Sequence, residues 1–139
     1  MSQAKSPSDQ LILIVEDDAN AEELLDHVIR SEGFQTAIAR TGAEALAAAE
    51  KRAPSLIVMD LAMPQMNGFD AIRGLQTVCK SKVPIIINTA RQVEPSTIDL
   101  LRAEANILEF LQKPTDYERL VRLIHTTLGT APSSKKKGT

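Results

Sequence analysis

An acidic run, Glu16-Asp17-Asp18, directly follows the apolar segment Leu11–Val15, and a single Asp60 follows Leu56–Met59. Further along, Thr89 follows Ile85-Ile86-Ile87-Asn88, and Lys113 follows Ile107–Gln112. If those apolar segments are parallel strands of one sheet, all four polar clusters emerge at its carboxyl edge, where open α/β sheets bind ligands. Carboxylates, a hydroxyl and an ammonium in one crevice suit a divalent cation and a phosphoryl group. Two carboxylates about 5 Å apart repel by roughly 3 kcal/mol at an effective dielectric of about 20, so gathering them calls for positive charge. Magnesium takes hard oxygen ligands, keeps several waters and bridges to phosphate. A carboxylate in such a setting can act as a nucleophile toward phosphorus and form an acyl phosphate.

Those residues need a scaffold. Short continuous apolar runs suit strands covered on both faces, as in parallel sheets. Between them lie longer stretches at helical spacing. Asn20 with Glu23, Thr41 with Glu44, and Thr115 with Glu118 each pair a capping residue with a carboxylate three positions on. Asp18 also suits an N-terminal cap. Leu24, Leu25, Val28 and Ile29 make one helical face, and Tyr117, Val121, Ile124 and Leu128 another. Phe69, Ile72, Leu75 and Cys79 mark a helix beginning near Gly68, while Ile98, Leu101 and Ala105 mark one opened by Pro95-Ser96. Gly33 and Gly129 fall where helices end.

The pattern is βαβαβαβαβα, without internal repeats. The second strand, residues 34–39, contains Gln35 and Thr36 and suits an edge. Right-handed crossovers then predict a doubly wound, five-stranded parallel α/β sheet in the flavodoxin-like order 2-1-3-4-5, with five flanking helices.

Size and composition bound the function. The 139 residues suit one domain with a real core, and 43% hydrophobic with 24% charged residues is ordinary for a soluble protein. A net charge of −2 makes no electrostatic case for nucleic acid or an anionic membrane. With Cys79 as the single cysteine, no intramolecular disulfide is possible, and a reducing, cytoplasmic setting is expected. Residues 1–9 are polar and lack a signal-peptide core, and residues 130–139 carry Lys135-Lys136-Lys137. Both read as flexible tails around a domain of residues 10–129.

The strings ILIVEDDAN, LIVMDLAMPQMNG, IIINTA and EFLQKP resemble, in order and spacing, the signature segments of the response-regulator receiver domain. The resemblance runs from about Gln10 to Leu128. It implies that Asp60 is the phosphoacceptor, that Glu16 and Asp17 are the acidic pair holding magnesium, and that the Ala62 backbone carbonyl is a further ligand. It also implies that Thr89 is the switch hydroxyl, Lys113 the phosphoryl contact and Phe110 the switch aromatic, with a cis bond at Lys113-Pro114. A sensor histidine kinase or histidine phosphotransfer protein would donate the group. The face formed by the fourth helix, fifth strand and fifth helix would then regulate an unknown downstream protein, from a monomer or a phosphorylation-dependent dimer. On this reading the chain is a signalling switch of the single-domain type rather than an enzyme. A magnesium-dependent phosphatase is the rival, but those place an Asp-x-Asp nucleophile after the first strand.

The chain departs from the family pattern at several points. Phe110 lacks the hydroxyl of the commoner tyrosine. Glu16 replaces the more frequent aspartate and favours reaching the metal through water. Ala62 and Arg91 stand at positions that, in the family, flank the route of an attacking water, and are expected to tune the lifetime of an acyl phosphate. Asn106-Ile107 stands where Gly-Ala is common. His27 and His125 lack metal-ligand spacing and are expected to be solvated or packed side chains.

Overall fold

The computed structural model describes residues 6–63, 68–79, 83–90, 92–104 and 106–132. A 3-10 turn at Pro7–Asp9 precedes β1 (Leu11–Val15), α1 (Ala19–Ser31), β2 (Gln35–Ala39), α2 (Gly42–Lys51) and β3 (Leu56–Met59). Then follow α3 (Gly68–Cys79), β4 (Ile85–Thr89), α4 (Pro95–Glu104), β5 (Ile107–Gln112) and α5 (Tyr117–Leu128). The strands form one sheet in the order β2-β1-β3-β4-β5, with every described pairing parallel.

Burial on both faces explains why β1, β3 and β4 are unbroken apolar runs. Leu13, Val15, Ile57, Met59, Ile85 and Ile87 face one way, toward Ala45 and Ala49 of α2, Ile72 and Leu75 of α3, and Leu101 of α4. Ile12, Ile14, Leu56, Val58 and Ile86 face the other way, toward Leu25 and Ile29 of α1 and Leu120 and Ile124 of α5. The period-two alternation thus divides the core into two layers around a single sheet. On the edge, β2 is buried only at Ala39. A register irregularity between Ile85 and Ile86 sets Ile86 opposite Glu109 and Thr89 opposite Gln112, so Lys113 comes directly after the residue paired with Thr89.

At two helix starts the cap is not the Asn20 or Thr115 of the spacing pattern; at α1 it is the other expected candidate, Asp18. Asp18, rather than Asn20, caps α1, its carboxylate accepting from the Ala21 N–H at 2.8 Å. Its extended backbone leaves the side chain free to turn back, whereas Asn20 is already helical. Asp116, rather than Thr115, caps α5 by accepting from the Arg119 N–H, because the Thr115 hydroxyl is bonded elsewhere. Thr41 caps α2 as expected, accepting from the Glu44 N–H at 3.0 Å. Leu24 is another correction: it is 51% exposed, since the inward stripe of α1 follows Leu25 and Ile29, with Leu24 turned away.

The packed body is wider than residues 10–129. The Pro7 ring lies against Gly33, whose φ of +99° favours glycine, with Pro7 Cβ 3.2 Å from where a side-chain carbon would start. Gln35 Nε2 donates to the Ser8 carbonyl. At the other end, Thr130 is buried and its hydroxyl meets His125 Nδ1 at 2.6 Å. Polar composition concealed these anchors. The Lys135-Lys136-Lys137 run lies outside the described residues.

Candidate functional site at the carboxyl edge

Each polar cluster is delivered by the end of a strand. The Glu16 N–H donates to the Ala39 carbonyl at 3.0 Å and the Asp60 N–H to the Val15 carbonyl at 3.0 Å, so the ladder continues one residue past β1 and β3. Both side chains are consequently held where their strands stop. Glu16 is 1% and Asp60 6% exposed, which demands compensation for two adjacent negative charges.

Lys113 provides it. Its Nζ donates to Glu16 Oε1 at 2.8 Å and to Asp60 Oδ2 at 3.1 Å. The other oxygens are engaged locally: Glu16 Oε2 accepts from the Asp18 N–H at 3.1 Å, and Asp60 Oδ1 from the Ala62 N–H at 2.8 Å. Burial pushes the Glu16 carboxyl above its ordinary value; the Lys113 and Asp18 hydrogen bonds pull it down, and the Asp60 charge adds to the rise. For Lys113, burial acts to lower the ammonium's pKa, but hydrogen bonds and charge from Glu16 and Asp60 outweigh it, and the net shift is upward.

Thr89 ends β4, is 2% exposed, and accepts the Lys113 N–H on its carbonyl at 2.9 Å. The backbone carrying the ammonium is therefore tied to the backbone carrying the hydroxyl. Lys113-Pro114 is cis, as expected. Asp17 is exposed beside buried Glu16. Among the described residues, no three His, Cys, Asp or Glu side chains form a ready metal cage. A magnesium ion needs no such cage, since one or two carboxylates with waters and phosphate oxygens suffice. The donor set fits: hard oxygens converge where a cationic group already sits between Glu16 and Asp60.

Phe110 is half-buried on β5, with the Arg102 guanidinium 5.6 Å from its ring centroid. Glu109 joins Arg102 of α4 at 3.7 Å to Arg119 of α5 at 2.8 Å, so one ionic chain crosses α4, β5 and α5. A cavity of about 420 Å³ is lined by Thr89, Val93, Pro95, Ile98 and Phe110 among others. The cavity thus adjoins both Thr89 and Phe110. Ala62 is half-buried after Asp60, and Arg91 lies outside the described residues.

Sequence reasoning missed two polar features. Thr115 Oγ1 donates to Asn88 Oδ1 at 3.0 Å. Its signal was an asparagine interrupting an isoleucine run. The second is His125, 3% exposed, with Nε2 at 2.8 Å from Glu32 Oε1 and its ring 5.0 Å from that of Phe34. His125 lies one residue from Ile124 on the apolar stripe of α5, so its burial was legible, though its partner was not.

Comparisons with known proteins bear on the family. The family model described as the response regulator receiver domain matches residues 12–125. The chain is similar to the DNA-binding response regulator MtrA of Mycolicibacterium paratuberculosis, 38% identical over 120 residues, covering 86% of this chain and 51% of that protein. It thus spans about half the length of the MtrA relatives it matches. An uncharacterized 14.6 kDa protein of Leptolyngbya boryana is 36% identical over 114 residues, covering 81% of this chain and 86% of that one. Among solved structures, the receiver domain of a Pseudomonas aeruginosa sensor histidine kinase, with a magnesium ion coordinated in its active-site cleft, is similar with a TM-score of 0.73 at 27% identity, covering 87% of this chain and 98% of that one. Vibrio cholerae chemotaxis protein CheY4 gives a TM-score of 0.76 at 26% identity, covering 86% of this chain and 98% of that one. With the family match running from β1 into α5, the chain belongs to the response regulator receiver domains, the phosphorylation-dependent switches of two-component signalling.

Proposed function

We propose that Asp60 is the residue that carries the phosphoryl group. The observation supporting this most directly is the convergence of buried Glu16 and Asp60 on the single ammonium of Lys113. A carboxylate oxygen of Asp60 attacks the phosphorus of a donor phosphohistidine; the new O–P bond replaces the N–P bond, and the imidazole leaves with the electron pair. Lys113 then moves its hydrogen bonds from the Asp60 carboxylate to the phosphoryl oxygens, staying tethered by Glu16. The Thr89 hydroxyl donates to another of those oxygens. Glu16, Asp17, Asp60 and the Ala62 carbonyl would hold a magnesium ion, Glu16 through water. When bound, that ion neutralises charge developing on the transferred group.

Closing Thr89 onto the phosphoryl group leaves room for Phe110 to turn into the neighbouring cavity. That turn takes the ring from Arg102 and alters the α4-β5-α5 face. It is a population shift, limited by how much better the phosphorylated site fits one state than the other. The donor is a sensor histidine kinase or histidine phosphotransfer protein, and the output passes to a protein partner from a monomer or a phosphorylation-dependent dimer. Nucleic acid and membrane are not its targets. The site promotes only its own phosphorylation and dephosphorylation, with Ala62 and Arg91 tuning the latter. The functional unit is the receiver domain of residues 10–129, with the Pro7–Asp9 turn and Thr130 packed onto it, acting in the cytoplasm. Among the described residues, no helix is long and apolar enough to cross a membrane.

Intact-mass measurement after incubation with magnesium and a small phosphoramidate or acyl phosphate tests this. One added phosphoryl group is expected, and none on Asp60→Asn. A phosphorylated Asp60→Asn protein, or an unmodified native one, would overturn the assignment.

A further inference from the structure

Asn88 is a polar residue in an apolar place. It follows Ile85-Ile86-Ile87 on β4, is 1% exposed, and is next to Thr89. Strand alternation turns it toward the layer that holds Ile86, Leu111 and Leu120. One end of its amide is satisfied, Oδ1 accepting from Thr115 Oγ1 at 3.0 Å. The other end, Nδ2, is buried with no hydrogen-bond partner among the described residues. A leucine of similar shape would suit this layer without an orphaned donor, so the asparagine calls for a reason beyond packing.

The geometry points to that reason. Thr115 lies two residues after Lys113, across the cis Lys113-Pro114 bond. The turn from Lys113 to Asp116 is anchored to β4 twice: the Lys113 N–H donates to the Thr89 carbonyl at 2.9 Å, and Thr115 donates to Asn88. Asp116 then anchors it to α5 through the Arg119 N–H. With Thr115 held by Asn88, the capping task falls to Asp116. The turn's direction, and with it the root of the Lys113 side chain, is set by a side-chain bond as well as by the sheet ladder.

We propose that Asn88 is a positioning residue for Lys113: acting through Thr115, it fixes the turn from which the ammonium reaches Asp60. The consequence for phosphorylation rests on the reading of Asp60 above; the claim about the turn does not. Adjacent residues of β4 thereby have separate tasks, Thr89 toward the phosphoryl group and Asn88 toward the lysine's turn.

The test uses the full chain with Asn88→Leu, Thr115→Val and the hydroxyl-retaining Thr115→Ser. Two quantities are measured: amide hydrogen exchange of Lys113 in the unphosphorylated protein, and the phosphorylation rate with phosphoramidate and magnesium. For Asn88→Leu and Thr115→Val, Lys113 exchange should accelerate and phosphorylation should slow, each on the order of fivefold, the size expected for one lost side-chain hydrogen bond. Ile86 and Val58 amides should be unchanged, and Thr115→Ser should behave as native. In a Lys113→Ala background, Asn88→Leu should slow phosphorylation no further, because the two changes act on one element. An unchanged Lys113 exchange rate in folded Asn88→Leu would overturn the proposal, as would an equal slowing in the Lys113→Ala background. If the native chain takes up no phosphoryl group, the Asp60 reading fails, and the exchange measurement alone decides the role of Asn88.

Discussion

Lys113 Nζ lies 2.8 Å from Glu16 Oε1, joining residues 97 apart in sequence through an ion pair whose acid is 1% exposed. Removing the cation leaves a buried carboxylate without its counter-charge. Lys113→Ala should therefore destabilise the magnesium-free protein by about 3 kcal/mol, the low end for breaking a buried pair, since the lysine side chain is 20% exposed. Urea denaturation measures this. The double change Glu16→Gln with Lys113→Ala should recover part of the loss, and equal losses in single and double variants would refute the pairing.

The site's titration makes stability fall as pH rises in two windows. The folded protein raises the Glu16 pKa above 4.5, so its contribution is full below 4.5 and is lost as pH climbs through the higher folded value. It raises that of Lys113 above 10.5, so the ion pairs' contribution is full below 10.5 and is lost as pH rises through the folded value. In magnesium-free buffer, the stability of the native chain relative to Glu16→Gln should fall as pH rises above 4.5. At alkaline pH, Lys113→Met should remove the second decline. A flat difference in either comparison would contradict these shifts.

His125 and Glu32 join the C-terminal ends of α5 and α1, at the opposite end of the sheet from Asp60. Replacing His125 by Leu keeps an apolar contact with Phe34 but takes the partner from Glu32 Oε1. A loss of about 1–3 kcal/mol is expected, the size of the penalty when a buried polar group loses a hydrogen-bond partner. Phosphorylation of the folded variant should proceed at the native rate. A changed rate at unchanged stability would show that this cluster communicates with the carboxyl edge.

Ala62 adds no bulk beyond its methyl group beside Asp60. If Asp60 carries the phosphoryl group as proposed, Ala62→Leu places an apolar side chain beside it, and exclusion of attacking water should lengthen the acyl-phosphate lifetime several-fold. The decay of the phosphorylated mass with time measures it. An unchanged decay would remove Ala62 from the set of tuning residues.

Most of the architecture was legible because its signals are local. The runs Leu11–Val15, Leu56–Met59 and Ile85–Thr89 are apolar at every turn of the pleat save the last residues of β4, which only a sheet covered on both faces tolerates. Helix starts were legible to within one or two residues, because Asp18 competes with Asn20, and Asp116 with Thr115, for the same cap. The exposed Leu24 was misplaced because helical spacing identifies a stripe without fixing how the helix is rolled against its sheet. Pro7–Asp9 looked like tail because its anchor, Gly33, lies far along the chain.

By itself, the amino-acid order determined which residue types stand at the ends of β1, β3, β4 and β5, and parallel pairing brings those ends to one edge. What tertiary structure decided was which atoms meet there. Lys113 was expected at a phosphoryl group, yet its resting partners, Glu16 and Asp60, depend on strand register and on where a flexible side chain finds buried charge. The Asn88–Thr115 bond was likewise invisible, since donors and acceptors acquire partners only when strand and turn come into contact. Periodicity encodes the face on which a side chain lies; its hydrogen-bond partner is settled by contacts between residues distant in the chain.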